Sequence, residues 1–275
     1  MNAFKSKLGS DHPKTLTSMG NLAYTYRSQG RWAEAEKLQV DVTNAFRTKL
    51  GPDHPDTLIN IHNLALTYWN QGRWAEAEKL QVEVINGFKA KLGSDNTDTL
   101  TSMANLASTL SSQGRLDEAE KLQVDVMNVR KEKLGSGHPN TLHSMASLAF
   151  KYKYEDRWDE AEKLEVEVVN ARKAHLGSDH LDTLTSMTNL VSTYSNQGKW
   201  EEAGTLLVDV MKASKAMLGS DHPDTLMSMA NLASAYRNMR RWDDAEQLEV
   251  DVMNARKAKL GPDHLDTLLV AFEAI

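Results

Sequence analysis

The 275-residue chain has no cysteine. Disulfides, thiolate catalysis and Cys-based zinc sites are therefore excluded, and a reducing compartment, the cytoplasm, is the expected setting. No apolar run approaches the ~20 residues that span a bilayer, and Met1 to Leu8 lack the apolar core of a signal peptide. No membrane partner is expected. Positive charge is not in excess: 32 Lys and Arg against 38 Asp and Glu leave a net charge of −6. That argues against nucleic acid as a partner, because phosphate binding needs a basic surface. Sustained apolar–polar alternation between hairpin turns is also missing, so strands are not expected. No nucleophile–base pair, phosphate loop or metal-ligand spacing is present. Neither catalysis nor a cofactor or metal is expected. What the chain does have, 40% hydrophobic and 25% charged residues, is the balance of an ordinary folded protein.

A fixed period organises it. The pair Leu-Gly recurs at Leu8, Leu50, Leu92, Leu134, Leu176, Leu218 and Leu260, each 42 residues after the last. Around it stands a block reading Leu-Gly-(Ser/Pro)-Asp-His-Pro-Asp-Thr-Leu, with small changes. Six full repeats follow, at about 10–51, 52–93, 94–135, 136–177, 178–219 and 220–261, with partial units at 1–9 and 262–275. All are read as one array.

Each repeat carries two helical patterns. Leu16, Met19, Leu22, Ala23 and Tyr26 share one face of an α-helix. Pro13 lies near its start, where a missing N–H costs nothing. Gly30, in the turn Gln29–Arg31, suits the left-handed residue that ends a helix. A longer pattern runs from Trp32 through Ala35, Leu38, Val42 and Phe46 to Leu50, roughly 28 Å at ~1.5 Å per residue, and Gly51-Pro52 stops it. One such hairpin cannot bury its apolar face alone, whereas stacked copies bury a continuous core. The expected fold is all-α, a solenoid of stacked antiparallel helix hairpins.

The order Asn21-Leu22-Ala23, Tyr26, Gly30, Trp32, Ala35 resembles the tetratricopeptide repeat (TPR) signature. The longer unit with its Leu-Gly-x-Asp-His-Pro link is similar to the TPR variety of kinesin light chains, and to arrays at the C-terminal end of fungal NLR-like receptors. The resemblance covers essentially the whole chain and implies a right-handed superhelix. It is specific for fold and much less so for role. Leu116 departs from the pattern in place of the Trp, as do Asp156 and Arg240 in place of the turn Gly. The heptad coiled coil of a light chain and the phosphate loop of a receptor are not in this sequence. Residues Asn2 to Gly9 match Asn44 to Gly51, and Asp266-Thr267-Leu268 opens a helix whose register degrades at Glu273. The ends thus read as cuts through a longer array, or as raw faces that pair copies end to end.

In TPR proteins the first helices line the concave face, and the resemblance assigns six groove positions per repeat. In the first repeat they are Thr17, Gly20, Asn21, Tyr24, Arg27 and Ser28. Framework positions barely change, as at Leu22, Leu64, Leu106, Leu148, Leu190 and Leu232. Groove positions vary, as at Tyr24, Leu66, Ser108, Phe150, Ser192 and Ser234. A variable set on a fixed scaffold suits recognition; drift of exposed positions is the plainer alternative. One groove position is nearly constant: Asn21, Asn63, Asn105, Asn189 and Asn231, with Ser147 in the fourth repeat. An amide both donates and accepts, so a ladder of them can pair with an extended peptide backbone. The alternative is an Asn bonded to the neighbouring helix.

The 36 groove positions hold no Asp or Glu, where about five would fall by chance, but they include Arg27, Lys153 and Arg237. An acidic partner segment is therefore expected. Apolar patches gather at Ile59, His62, Leu66 and Trp69, and at His143, Phe150, Lys153 and Tyr154. Exposed aromatics of this kind anchor interfaces. Trp32, Trp74, Trp158, Trp200 and Trp242 share one framework position and are expected in the core. The Asp-His pairs at His12, His54, His180, His222 and His264 recur once per repeat, too far apart to share a metal, and read as loop structure. Met19, Met103, Met145, Met187 and Met229 read as core filler. The expected function is a non-catalytic scaffold whose groove binds an acidic peptide or protein segment. The alternatives are part of a cargo adaptor or receptor sensor, and a self-assembling solenoid.

Overall fold

The computed structural model describes Gly9 and residues 11–261. The partial units at 1–9 and 262–275, Gly9 apart, lie outside the described residues, as do His264 and Glu273. Among the described residues the chain is helical, with no strand. It forms two compact units, Met1–Lys133 and Leu134–Ile275.

Unit 1 holds α1 (Pro13–Ser28), α2 (Trp32–Leu50), α3 (Pro55–Asn70), α4 (Trp74–Leu92), α5 (Thr97–Ser112) and nearly all of α6 (Leu116–Leu134). Unit 2 holds α7 (Pro139–Tyr154), α8 (Trp158–Leu176), α9 (Leu181–Asn196), α10 (Trp200–Leu218), α11 (Pro223–Asn238) and α12 (Trp242–Leu260). From α1 to α5, and again from α7 to α12, each helix packs on the next. The fold is an all-α repeat solenoid.

The Asp-His motif acts as a helix cap. His12, His54, His138, His180 and His222 stand before the first helices, and each Nδ1 accepts the N–H two residues on at 3.1–3.2 Å. Asn96, which replaces His in the third repeat, does the same through Oδ1 at 2.9 Å. Each cap satisfies a backbone donor that a helix start leaves unpaired, worth about 1 kcal/mol. At the other link, Gly51 has φ 88° and ψ 164°. That region is essentially closed to residues with a Cβ, which is why Leu-Gly recurs unchanged.

The core comes from three recurring positions. Leu58 and Leu100, Val84 and Val126, and Ala77 and Ala119 are 0–2% exposed, and their counterparts in the other repeats are likewise buried. The small Ala lets the paired helices approach closely. The tryptophans do not join them. Trp32, Trp74 and Trp242 are 40%, 39% and 61% exposed, and Trp158 and Trp200 are half-buried. Each is the first residue of a second helix, at the edge of the hairpin, and the Ala three residues on takes the inward direction. Leu50 and Leu92, at the far end of those helices, are likewise exposed.

The Gln-Gly-Arg turn also ties repeats together. Glu36 of α2 accepts from Gln71 and Arg73 of the next hairpin, both at 2.8 Å. Glu78 repeats this with Gln113 and Arg115 at 2.9 and 2.7 Å. In unit 2, Glu162 accepts from Gln197 and Lys199. Beneath these turns the guanidinium groups of Arg31, Arg73, Arg157 and Arg241 stack on Tyr26, Tyr68, Tyr152 and Tyr236 at 4.0–4.1 Å.

Candidate functional site

In unit 1 the first helices α1 and α3 bound an open pocket of about 400 Å³. Gly20, Asn21, Tyr24 and Arg27 of α1 face Ile59, Asn60 and Asn63 of α3 across it. The buried Gln39 of α2 lies beneath, with its Nε2 donating to the Asn60 carbonyl at 3.1 Å and to Oδ1 at 3.2 Å. Arg27 Nη1 donates to the Asn63 carbonyl at 3.2 Å, and the guanidinium lies 5.3 Å from the Tyr24 ring centre. Burial pulls the Arg27 guanidinium below its usual value, although the charge stays on at any ordinary pH.

Tyr24 and Ile59 are exposed at the mouth, and Trp69 is exposed further along α3. Leu66 and His62 are partly covered. Burial, then the charge of Arg27, lowers the His62 pKa, while Asp98 opposes both. Protonation of His62 is therefore disfavoured within the fold.

In unit 2, Phe150 and Tyr154 of α7 are 73% and 87% exposed, one turn apart. Between them on the helix, Lys153 turns to the floor. Its Nζ lies 3.4 Å from Glu165 Oε1 of α8 and donates to the Asn189 carbonyl at 3.1 Å. Thr193 Oγ1 donates to the other oxygen of Glu165 at 2.5 Å. Arg237 of α11 meets Glu249 of α12 at 3.2 Å. Arg172 of α8 reaches the same small cavity as Phe150 and Lys153, and donates to the Asp182 carbonyl at 2.8 Å.

Five amides form the sequence-predicted ladder. Asn21, Asn189 and Asn231 are exposed, and Asn63 and Asn105 are half-buried. Their backbone carbonyls take part in bonds such as Thr67 to Asn63 at 3.1 Å. Among the described residues their side-chain amides have no hydrogen-bond partner. Other asparagines on these helices behave differently. The Nδ2 groups of Asn60, Asn70, Asn196 and Asn238 each donate to the carbonyl four residues back. The ladder amides are thus not used to join neighbouring helices.

The floor of the groove comes from the second helices, outside the first-helix positions that the TPR resemblance assigns. Gln39, Gln81, Glu165 and Glu249 occupy one position of the second helices, and Phe46, Arg130 and Arg172 occupy another. Phe46 lines the unit 1 pocket, and Arg130 Nη2 donates to Thr101 on the groove face at 3.2 Å. The signal was a polar residue recurring inside an apolar stripe, between Leu38 and Val42. It also corrects the charge reading. Two of the three groove cations, Lys153 and Arg237, are paired with floor carboxylates, and Arg27 alone faces a neutral amide.

These features define a class of protein: a helical-hairpin solenoid with a varied surface on a constant frame. The chain belongs to the tetratricopeptide repeat family, whose repeat patterns match residues 15–56, 56–132, 98–174 and 182–258. It is similar to a Podospora anserina kinesin light chain-like protein of nearly identical TPR-like repeats. That likeness has 30% identity over 75% of this chain and 98% of the other, with TM-score 0.61. BtubC (BKLC) from P. vanneervenii shares 16% identity over 84% of this chain and 92% of its own, with TM-score 0.63. The STAND protein PH0952 of Pyrococcus horikoshii, which has a tetratricopeptide repeat sensor, shares 13% over 95% of this chain and 43% of its own, with TM-score 0.61. The last two likenesses concern the fold alone. No curated protein matches the chain. No helix among the described residues is long and apolar enough to cross a membrane.

Proposed function

We propose that the chain is a non-catalytic scaffold whose first-helix grooves bind an extended, acidic segment of a protein partner. The carrying observation is the set of five groove amides, Asn21, Asn63, Asn105, Asn189 and Asn231, whose donors and acceptors are unengaged by the fold. An extended peptide backbone offers the matching groups at each residue. The acidic preference rests on Arg27, which no carboxylate neutralises, and on the absence of Asp and Glu from the first-helix groove positions. Tyr24, Trp69, Phe150 and Tyr154 are the exposed anchors of such a surface.

The test is a selection from a displayed library of random peptides, run on the chain and on an Asn63→Ala, Asn105→Ala, Asn189→Ala variant of unchanged helicity. The expected result is an acidic, aromatic-containing motif enriched by the first and lost by the second. Identical enrichment by both would mean that the amides are not contacts. The likeness to a kinesin light chain-like array supports a second reading, a cargo-adaptor segment. Under that reading the selected motif recurs in proteins carried as cargo.

A further inference from the structure

We infer that Gly20 sets the specificity of the unit 1 groove, by leaving room for one bulky side chain of the bound segment. The inference rests on the groove reading above and concerns one position within it.

Three glycines lie inside helices, at Gly20, Gly87 and Gly204. Packing against the buried Leu58 requires Gly87, and Gly204 faces the flexible end of Met239. A Cβ on Gly87 would stand 2.6 Å from the Leu58 side chain, and one on Gly204 would stand 2.9 Å from Met239 Cε. A Cβ on Gly20 meets nothing nearer than Asn60 Oδ1, at 3.9 Å. Its helical backbone accepts any residue, and glycine destabilises a helix interior relative to alanine. The other repeats carry His62, Ala104, Ala146, Thr188 and Ala230 at this position. Neither packing nor backbone geometry explains Gly20, and the pocket of about 400 Å³ opens directly over it.

The walls state what fits. Tyr24 and Ile59 offer apolar surface at the mouth, while the buried Leu16, Ala23 and Gln39 and the half-buried Asn60 and Asn63 line the rest. Gln39 and Asn60 already bond within the fold, but a phenyl ring would cover the unengaged Asn63 amide without a partner, which is costly. A large side chain with a hydrogen-bonding edge, a tyrosine or tryptophan, satisfies both surfaces.

The probe is the peptide most enriched by the wild-type chain from a displayed random library, with affinity read by fluorescence polarisation and stability by circular dichroism. Gly20→Ala raises Tm by about 2 °C, because the helix improves, yet weakens binding about threefold. Gly20→Leu fills the pocket and weakens binding at least about tenfold, and selection on it enriches a small residue where the wild type enriched Tyr or Trp. The rise in stability with loss of binding separates a subsite from damage to the fold. If both Gly20 variants bind like the wild type while Asn63→Ala weakens binding, the subsite is wrong and the groove reading stands. If neither position matters, or no peptide is enriched, both are overturned. Should Gly20→Leu lose helicity, Gly20→Ala decides alone.

Discussion

Beneath the groove of unit 1 the second helices place Gln39, Gln81 and Gln123, the first two buried; in unit 2 the same position holds Glu165, Leu207 and Glu249. Twelve residues earlier in each repeat stand Arg27, Trp69 and Ser111 in unit 1, and Lys153, Ser195 and Arg237 in unit 2. In unit 2 the two positions change together, whereas in unit 1 the amide below stays fixed. In unit 2 a cation above comes with a carboxylate below, and Ser195 comes with an apolar floor. The reason is desolvation: a half-buried charge is costly unless a partner lies within reach. Arg27 is the exception. Its charge sits over an amide and leans on a carbonyl, so it remains electrostatically available. One frame thus carries a cation spent on the fold in unit 2 and a cation open to a ligand in unit 1.

The largest effect comes from breaking the unit 2 pair. Glu165→Gln installs the unit 1 floor but leaves Lys153 without its carboxylate and weakens the Thr193 bond. The expected cost is about 2 kcal/mol, below that of a fully buried pair because Lys153 keeps some access to water. Adding Lys153→Ser recreates the Ser111–Gln123 combination of the third repeat and recovers at least half of that cost. Urea unfolding of the two variants decides it. Equal stability of single and double variants would falsify the pairing argument.

The turns give a second, smaller contrast. Unit 1 has Gly30, Gly72 and Gly114 in the left-handed region, whereas unit 2 has Gly198 beside Asp156 at φ 57° and Arg240 at φ 58°. The missing glycines do not change the turn; they strain it. A left-handed residue with a Cβ costs ~1 kcal/mol, less for Asp, whose short polar chain tolerates the region. Arg240→Gly is therefore expected to stabilise by about 1 kcal/mol and Asp156→Gly by less. A thermal melt in which Asp156→Gly gains more than Arg240→Gly would reverse this account.

The helices and their boundaries were legible because apolar spacing and turn residues act locally and repeat unchanged. Leu16, Val42 and Ala35 are buried, as their periodicity requires. Trp32 misled because a large apolar residue at a constant position reads as core, while its place at the start of a helix puts it on the edge. The groove was half legible. Helical spacing puts Asn21, Tyr24 and Arg27 on one face, but which second-helix residue lies beneath them depends on how two helices cross. Spacing within one helix does not contain that information. The same limit hid the pairing of Lys153 with Glu165, whereas the cap formed by His54 is local and lies within the Asp-His motif that reads as loop structure.

The smallest effect is in pH. His62 stands on the groove face of α3 where unit 2 carries Ala146, Thr188 and Ala230. Burial, helped by Arg27 and opposed by Asp98, lowers its folded-state pKa. The unfolded chain therefore binds a proton that the folded chain resists, and the stability held by neutral His62 is full above pH ~6.5 and falls as the pH drops through that value. Glu78 does not confuse the window: Gln113 and then Arg115 hold its carboxyl below the usual range, so it stays ionised while His62 titrates. Acidification from about pH 7 to pH 5.5 should thus destabilise the wild type slightly more than His62→Ala. Chemical denaturation at the two pH values reads the difference. If both chains lose the same stability, His62 is not the titrating group, and the two units do not differ in this respect.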